Sequence, residues 1–187
     1  MNTTFAYARW TVVGRCIIRG IIVLKQLIST LIASVGLSSP ATAQHHFTIA
    51  RTEVTAPVGW RQISKTEDRL VLSSSDQRQQ TTISVLRFNS DATFEDFRRL
   101  CQHRIDAERK ELVDGFIEPD EPKPFKDGDT FGLFYSGGEK RTGRLFSGYL
   151  SLAQRQFLTI YVEGLGVAAK IHFETFKAFV DGLKPAN

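Results

Sequence analysis

The side chains able to do covalent chemistry are scattered along the chain. Cys101 and His103 stand two apart in a stretch with helical spacing. Residues so placed project about 200° apart and cannot form a nucleophile–base pair. Cys101 falls on the apolar side of that helix and reads as a small core residue. Ser136-Gly137-Gly138 and Ser147-Gly148 lack the G-x-S-x-G spacing that a strained strand-to-helix turn needs to expose a serine. Tyr135, Tyr149, Tyr161 and His172 would make a polar site only if the fold brought them together, and no spacing argument does so. The expectation is a protein with no catalytic residue and no cofactor.

Paired carboxylates occur where chains turn: Asp120-Glu121 among prolines, Asp127 and Asp129 around Gly128. The full calcium-loop pattern is missing, so these read as solvated turn acids. Gly137-Gly138 and Gly164-Leu165-Gly166 do not extend to a phosphate-binding loop. One metal reading has a foothold. If Gln44 becomes the first residue, its amine, two backbone nitrogens and the His46 imidazole can surround Cu(II) or Ni(II) in a plane, with His45 beside them. Cyclisation of Gln44 would remove the amine. A partner-binding candidate is the basic cluster Lys140, Arg141 and Arg144, placed on the loop between two strands and suited to an acidic partner or a lipid headgroup; the bland reading is a solvated hairpin tip.

Charge separates the chain into two parts. The formal net charge is +4, yet residues 1–43 hold Arg9, Arg15, Arg19 and Lys25 with no Asp or Glu, which leaves 20 basic against 20 acidic residues in the remainder. That neutral remainder has no global source of counterion release, and a nucleic acid partner is not expected. Lys25, the apolar run from Leu27 to Leu37 and Ala41-Thr42-Ala43 form a secretory-signal pattern, with cleavage expected between Ala43 and Gln44. A membrane anchor is the competing reading, but Arg19 and Lys25 interrupt the apolar stretch, and no stable membrane insertion is expected after processing. The length ahead of Lys25 also admits translation starting further in, near Val23 or Leu24. After cleavage Cys101 is the one remaining cysteine, so no intramolecular disulfide can form. Residues 44–187 suit a single domain, periplasmic or secreted.

The elements that must position these residues follow from periodicity. Phe47 to Val54 reads as a first strand, Arg61 to Ser64 as a short one, Asp68 to Ser74 and Thr82 to Phe88 as an antiparallel pair joined by the polar turn Ser75 to Gln80. Thr93-Phe94-Glu95-Asp96 starts a helix with a capping box, whose apolar face carries Phe94, Phe97, Cys101, Ile105 and Leu112, and which Gly115 should stop. Glu118 to Pro124 holds three prolines and reads as an extended surface connection. Period two returns around Phe131, Leu133 and Tyr135, from Leu145 to Leu152 and from Phe157 to Val162, giving three antiparallel strands. Phe173, Phe176, Val180 and Leu183 then predict a closing helix with its apolar face on the sheet.

This order of elements resembles the PsbP/DcrB-like family, which includes an extrinsic subunit of photosystem II, a Ran-binding nuclear import factor and bacterial envelope proteins. Ala56-Pro57-Val58-Gly59-Trp60 is similar to that group's P-x-G-W turn, Thr93 to Phe97 to the start of its first helix, and Phe173 to Leu183 to its closing helix. The resemblance implies an α+β fold, a mainly antiparallel sheet of about six strands covered by two helices. It implies binding or assembly rather than catalysis, and assigns no functional residue. The leading expectation is an exported, non-catalytic module that binds another envelope or secreted protein. The runners-up are an immunity or chaperone protein for a secreted toxin, and a binder of a small ligand or metal.

Overall fold

The computed structural model describes residues 44–153 and 155–185; the expected leader, 1–43, and its cleavage site lie outside them. Eight antiparallel strands form the main sheet: β3 (Arg61–Lys65), β4 (Arg69–Ser73), β5 (Gln79–Arg87), β6 (Gly115–Glu118), β7 (Phe125–Asp127), β8 (Thr130–Glu139), β9 (Arg144–Ala153) and β10 (Gln156–Leu165). Their order is β3-β4-β5-β10-β9-β8-β6, with β7 also paired to β8. A second sheet joins β1 (His45–Ile49), β2 (Thr52–Ala56) and β11 (Leu183–Pro185). Two helices complete the described residues, α1 (Phe94–Glu111) and α2 (Ala169–Asp181). The architecture is the expected α+β one, with more strands than the six read from periodicity.

The three consecutive strands β8, β9 and β10 are the expected ones, each ten residues long and paired in register from Phe131↔Leu152 to Phe157↔Leu152. Because successive side chains alternate, this sheet has two apolar faces and two cores. On one face α1 lays Phe97, Cys101 and Ile105 over Leu133, Tyr135, Phe146, Leu150, Leu152 and Phe157. On the other, α2 lays Phe176 and Phe179 over Leu70, Leu72, Ile83, Val85, Ile160 and Val162. The Trp60 ring meets Phe179 edge-on at 4.8 Å, so the Pro57–Trp60 turn locks β2 and α2 together.

Local chemistry sets the start of α1. The Thr93 hydroxyl accepts from the Asp96 amide at 3.2 Å, and the Asp96 carboxylate accepts from the Thr93 amide at 3.0 Å. Glu95 and Asp96 sit in the first turn, Arg109 and Lys110 in the last, as the helix dipole favours. Phe94 is half-exposed rather than buried, and Leu112 caps the helix in an extended conformation. Gly115 is not the stop. It begins β6, pressed so close to β8 that a Cβ would come within 2.8 Å of the Gly138 carbonyl oxygen.

Two further expectations are corrected. The single strand from Phe47 to Val54 is a hairpin, because Ala50 takes φ +50° and reverses the chain so that Ile49 pairs with Thr52. The buried line of α2 is His172, Phe176 and Phe179; Phe173 is exposed and Leu183 belongs to β11. The sheet-facing side is offset by about one residue from the expected one, since Phe179 docks on Trp60 and carries His172, seven positions earlier, beneath the helix.

Candidate functional site

Three groupings of chemistry-bearing side chains emerge. The first lies under α1. Glu108 is the fourth member of the helix's buried stripe and only 2% exposed. Its carboxylate accepts from Arg144 Nη2 at 3.1 Å, from the Tyr161 hydroxyl at 2.8 Å and from Arg104 Nη2 at 3.2 Å. Arg144 also donates through Nε to Glu163 at 2.9 Å and through Nη2 to the Tyr161 oxygen at 2.8 Å. Arg104 lies 5.0 Å over the Tyr161 ring and donates to the Tyr135 hydroxyl at 3.4 Å. Two arginines face two carboxylates, so the group is formally neutral and every buried charge has a partner. Burial, then the Glu108 carboxylate, pushes the Tyr161 hydroxyl well above the usual phenol range, while burial against the opposing pull of Arg104 raises that of Tyr135. Both therefore stay protonated, and Tyr161 donates to Glu108. Tyr135 fits because β9 offers Gly148 opposite it; a Cβ there would meet the ring at 2.2 Å.

The second grouping lies under α2. Ser147 Oγ and His172 Nε2 are 3.1 Å apart, both side chains buried. Burial pushes the imidazole down to about 4, with a backbone hydrogen bond at Phe146 opposing it. His172 Nδ1, Gln79 Nε2 and Thr81 Oγ1 have no hydrogen-bond partner among the described residues. Among the described residues no carboxylate orients the ring, and Ser147 is 2% exposed, so the pair has neither the third member nor the access of a nucleophilic triad.

The third grouping is aromatic and faces solvent. Along β8, residues 132, 134, 136 and 138 share the α2 face. Phe125 of β7 lies over Gly132, where a Cβ would meet its ring at 2.4 Å, and stacks on Phe134 at 5.5 Å. Phe134 stacks on Tyr149 at 4.6 Å and meets the Phe176 edge at 6.2 Å. Phe116 of β6 pairs with Gly138 on the same face. Phe116, Phe125 and Phe134 remain 42%, 40% and 37% exposed, because α2 covers the sheet only as far as β9 and the Phe176 edge. A depression of about 470 Å³, lined in part by Arg109, Leu112, Val113, Phe116 and Ile117, opens at the same edge.

The residues singled out by sequence are dispersed. Lys140 and Arg141 are exposed in the β8–β9 turn, whereas Arg144 leaves them and turns inward to Glu108. His45 and His46 lie in β1, His46 Nδ1 being 3.1 Å from the Thr55 hydroxyl; a chelate using their backbone nitrogens has to take them out of the strand. Among the described residues no three His, Cys, Asp or Glu side chains converge to hold a metal. Burial pushes the Cys101 thiol up to about 12. Of the four suggested polar residues, Tyr161 reaches Glu108 directly and Tyr135 joins it through Arg104, while Tyr149 and His172 face the opposite side of the sheet. Glu108 was legible as a charge in phase with Phe97, Cys101 and Ile105; Phe134 as an aromatic at the polar phase of an alternating strand.

No family model matches the chain, and no curated protein matches it by sequence. Solved structures do. Cyanobacterial PsbP (CyanoP) from Synechocystis sp. PCC 6803 superposes with a TM-score of 0.54 at 14% identity, covering 82% of this chain and 98% of that one. LpqN, involved in cell envelope biogenesis of Mycobacterium tuberculosis, gives 0.51 at 10% identity, covering 83% and 90%. A protein from Bacteroides thetaiotaomicron VPI-5482 gives 0.51 at 11% identity over 78% of this chain and 49% of its own, so the chain spans about half its length. The chain has the PsbP-like fold.

Proposed function

We propose that this chain is an exported, non-catalytic module of the cell envelope that binds another protein through the aromatic row Phe116, Phe125 and Phe134. The observation that carries the reading is that row. Three rings lie uncovered on one face of the sheet, next to a surface depression, while the polar groups suited to chemistry are buried and partnered or closed to solvent. Aromatic side chains are enriched at the centres of protein interfaces. The acid-free leader pattern and the balanced charge of residues 44–187 support export without a nucleic acid partner. LpqN's part in envelope biogenesis agrees with an envelope setting.

The test has two arms. Protein recovered from a bacterial envelope fraction should give an intact mass starting at Gln44; a mass retaining residues 1–43 would remove the export reading. Affinity capture should recover one specific partner with the unaltered protein and with Phe94→Ser, on the α1 side, but not with Phe116→Ser/Phe134→Ser. A partner held equally by all three, or by none, would overturn the assignment of the surface.

A further inference from the structure

The two ends of α2 are seated differently. Its second half is held by apolar contact, Phe176 against Phe134 and Phe179 against Trp60. The first half rests on polar groups. His172 is 4% exposed over Ser147, and Thr175 donates to Gln79 Oε1 at 3.2 Å. The unpartnered atoms Gln79 Nε2, Thr81 Oγ1 and His172 Nδ1 belong to this one neighbourhood, since Gln79 pairs with Gly164, Thr81 and Ser147 both pair with Val162, and Gly164 lies against the imidazole. Buried polar atoms without partners weaken the contact they sit in.

The start of the helix is weakly held as well. Ala168 at the N-cap makes no side-chain bond, no acid lies in the first turn, and the charge present there is Lys170. Just before it, Gly166 takes φ +62°, while its amide donates to the Gly143 carbonyl at 3.2 Å and the Leu165 amide to the Arg78 carbonyl at 2.9 Å. Those bonds fix the strand side and leave residues 167 and 168 as the pivot.

We infer that protonation of His172 releases the first two turns of α2 from the sheet, pivoting after Gly166, and uncovers Ser147, Gln79 and Thr81. The imidazolium is disfavoured twice: it is out of water, and it stands in the first turns of a helix whose N-terminal end is positive. The groups facing it are Ser147 and the Phe146 backbone from β9, Gly164 from β10, and Gln79 and Thr81 from β5, with no carboxylate among them to hold a cation. Opening lets the ring reach water while Phe176 and Phe179 keep the second half docked.

Hydrogen exchange of the full chain, corrected for intrinsic rates, tests this between pH 7 and pH 4. The imidazole's ordinary value of 6.5 and its buried value of about 4 set the window. The open population of residues 169–175 should rise about 100-fold between pH 7 and pH 4, close to tenfold per unit between the two values, while β8–β10 and α1 keep their protection. His172→Gln should remove the pH dependence. Ala168→Ser, which adds a cap without touching the imidazole, should lower opening about fivefold at every pH. Protection of α2 that does not change with pH, a loss that spreads equally over the chain, or an unaltered profile in Ala168→Ser would overturn the proposal.

Discussion

Removing the Glu108 carboxylate tests how α1 is fixed to the sheet. Glu108→Ala strands the Arg144 guanidinium, whose side chain is 20% exposed, and leaves the Tyr161 hydroxyl without its acceptor. Breaking a buried ion pair from one side costs about 3–5 kcal/mol. The lower end applies here, since Glu163 still holds Arg144 Nε and the half-exposed Arg104 can rehydrate. About 3 kcal/mol lowers Tm by about 10 °C for a domain of this size. Trp60, buried against Phe179 and the one tryptophan among the described residues, reports unfolding by fluorescence. The cycle is completed with Arg144→Met and the double variant Glu108→Ala/Arg144→Met, and should return a coupling of about 2 kcal/mol. Replacing the pair by Glu108→Leu/Arg144→Met should recover much of the loss, because apolar groups need no partners. A coupling below about 0.5 kcal/mol would show that the two residues do not act together, and the account of the network would fail.

The remaining expectations concern single sites. Gly148→Ala drives a methyl into the Tyr135 ring, 2.2 Å from an ideal Cβ, and should cost about 2–3 kcal/mol in urea unfolding; a second change, Tyr135→Val, should relieve it. Trp60→Ala opens a cavity beside Phe179 and should cost about 3–5 kcal/mol, read by circular dichroism; a loss under about 1 kcal/mol would mean that the turn is not part of the core. Cys101, its thiol raised from 9.0 to about 12, should react with a thiol reagent at pH 8 about a thousandfold more slowly than a free cysteine, and at the free rate once urea unfolds the chain.

Much of this arrangement is visible in the order of residues. The capping box at Thr93, the positions Phe97, Cys101 and Ile105, the Asp127–Asp129 turn and the three long strands all follow from interactions within a few residues, and periodicity reports those directly. Contacts that join distant segments are not reported in that way. The β1–β2 hairpin turns on a non-glycine residue at φ +50°, β6 exists because β8 offers glycines opposite it, and α2 takes its rotation from Phe179 meeting Trp60. Arg144 reads as one of three loop cations, yet its partners are Glu108, Tyr161 and Glu163, 36, 17 and 19 residues away. A sequence states which side chains share a face. Which face meets another, and whether a charge there finds its counterion or leaves aromatic rings in water, is decided when the layers close, because those energies depend on separations that exist only in the folded chain.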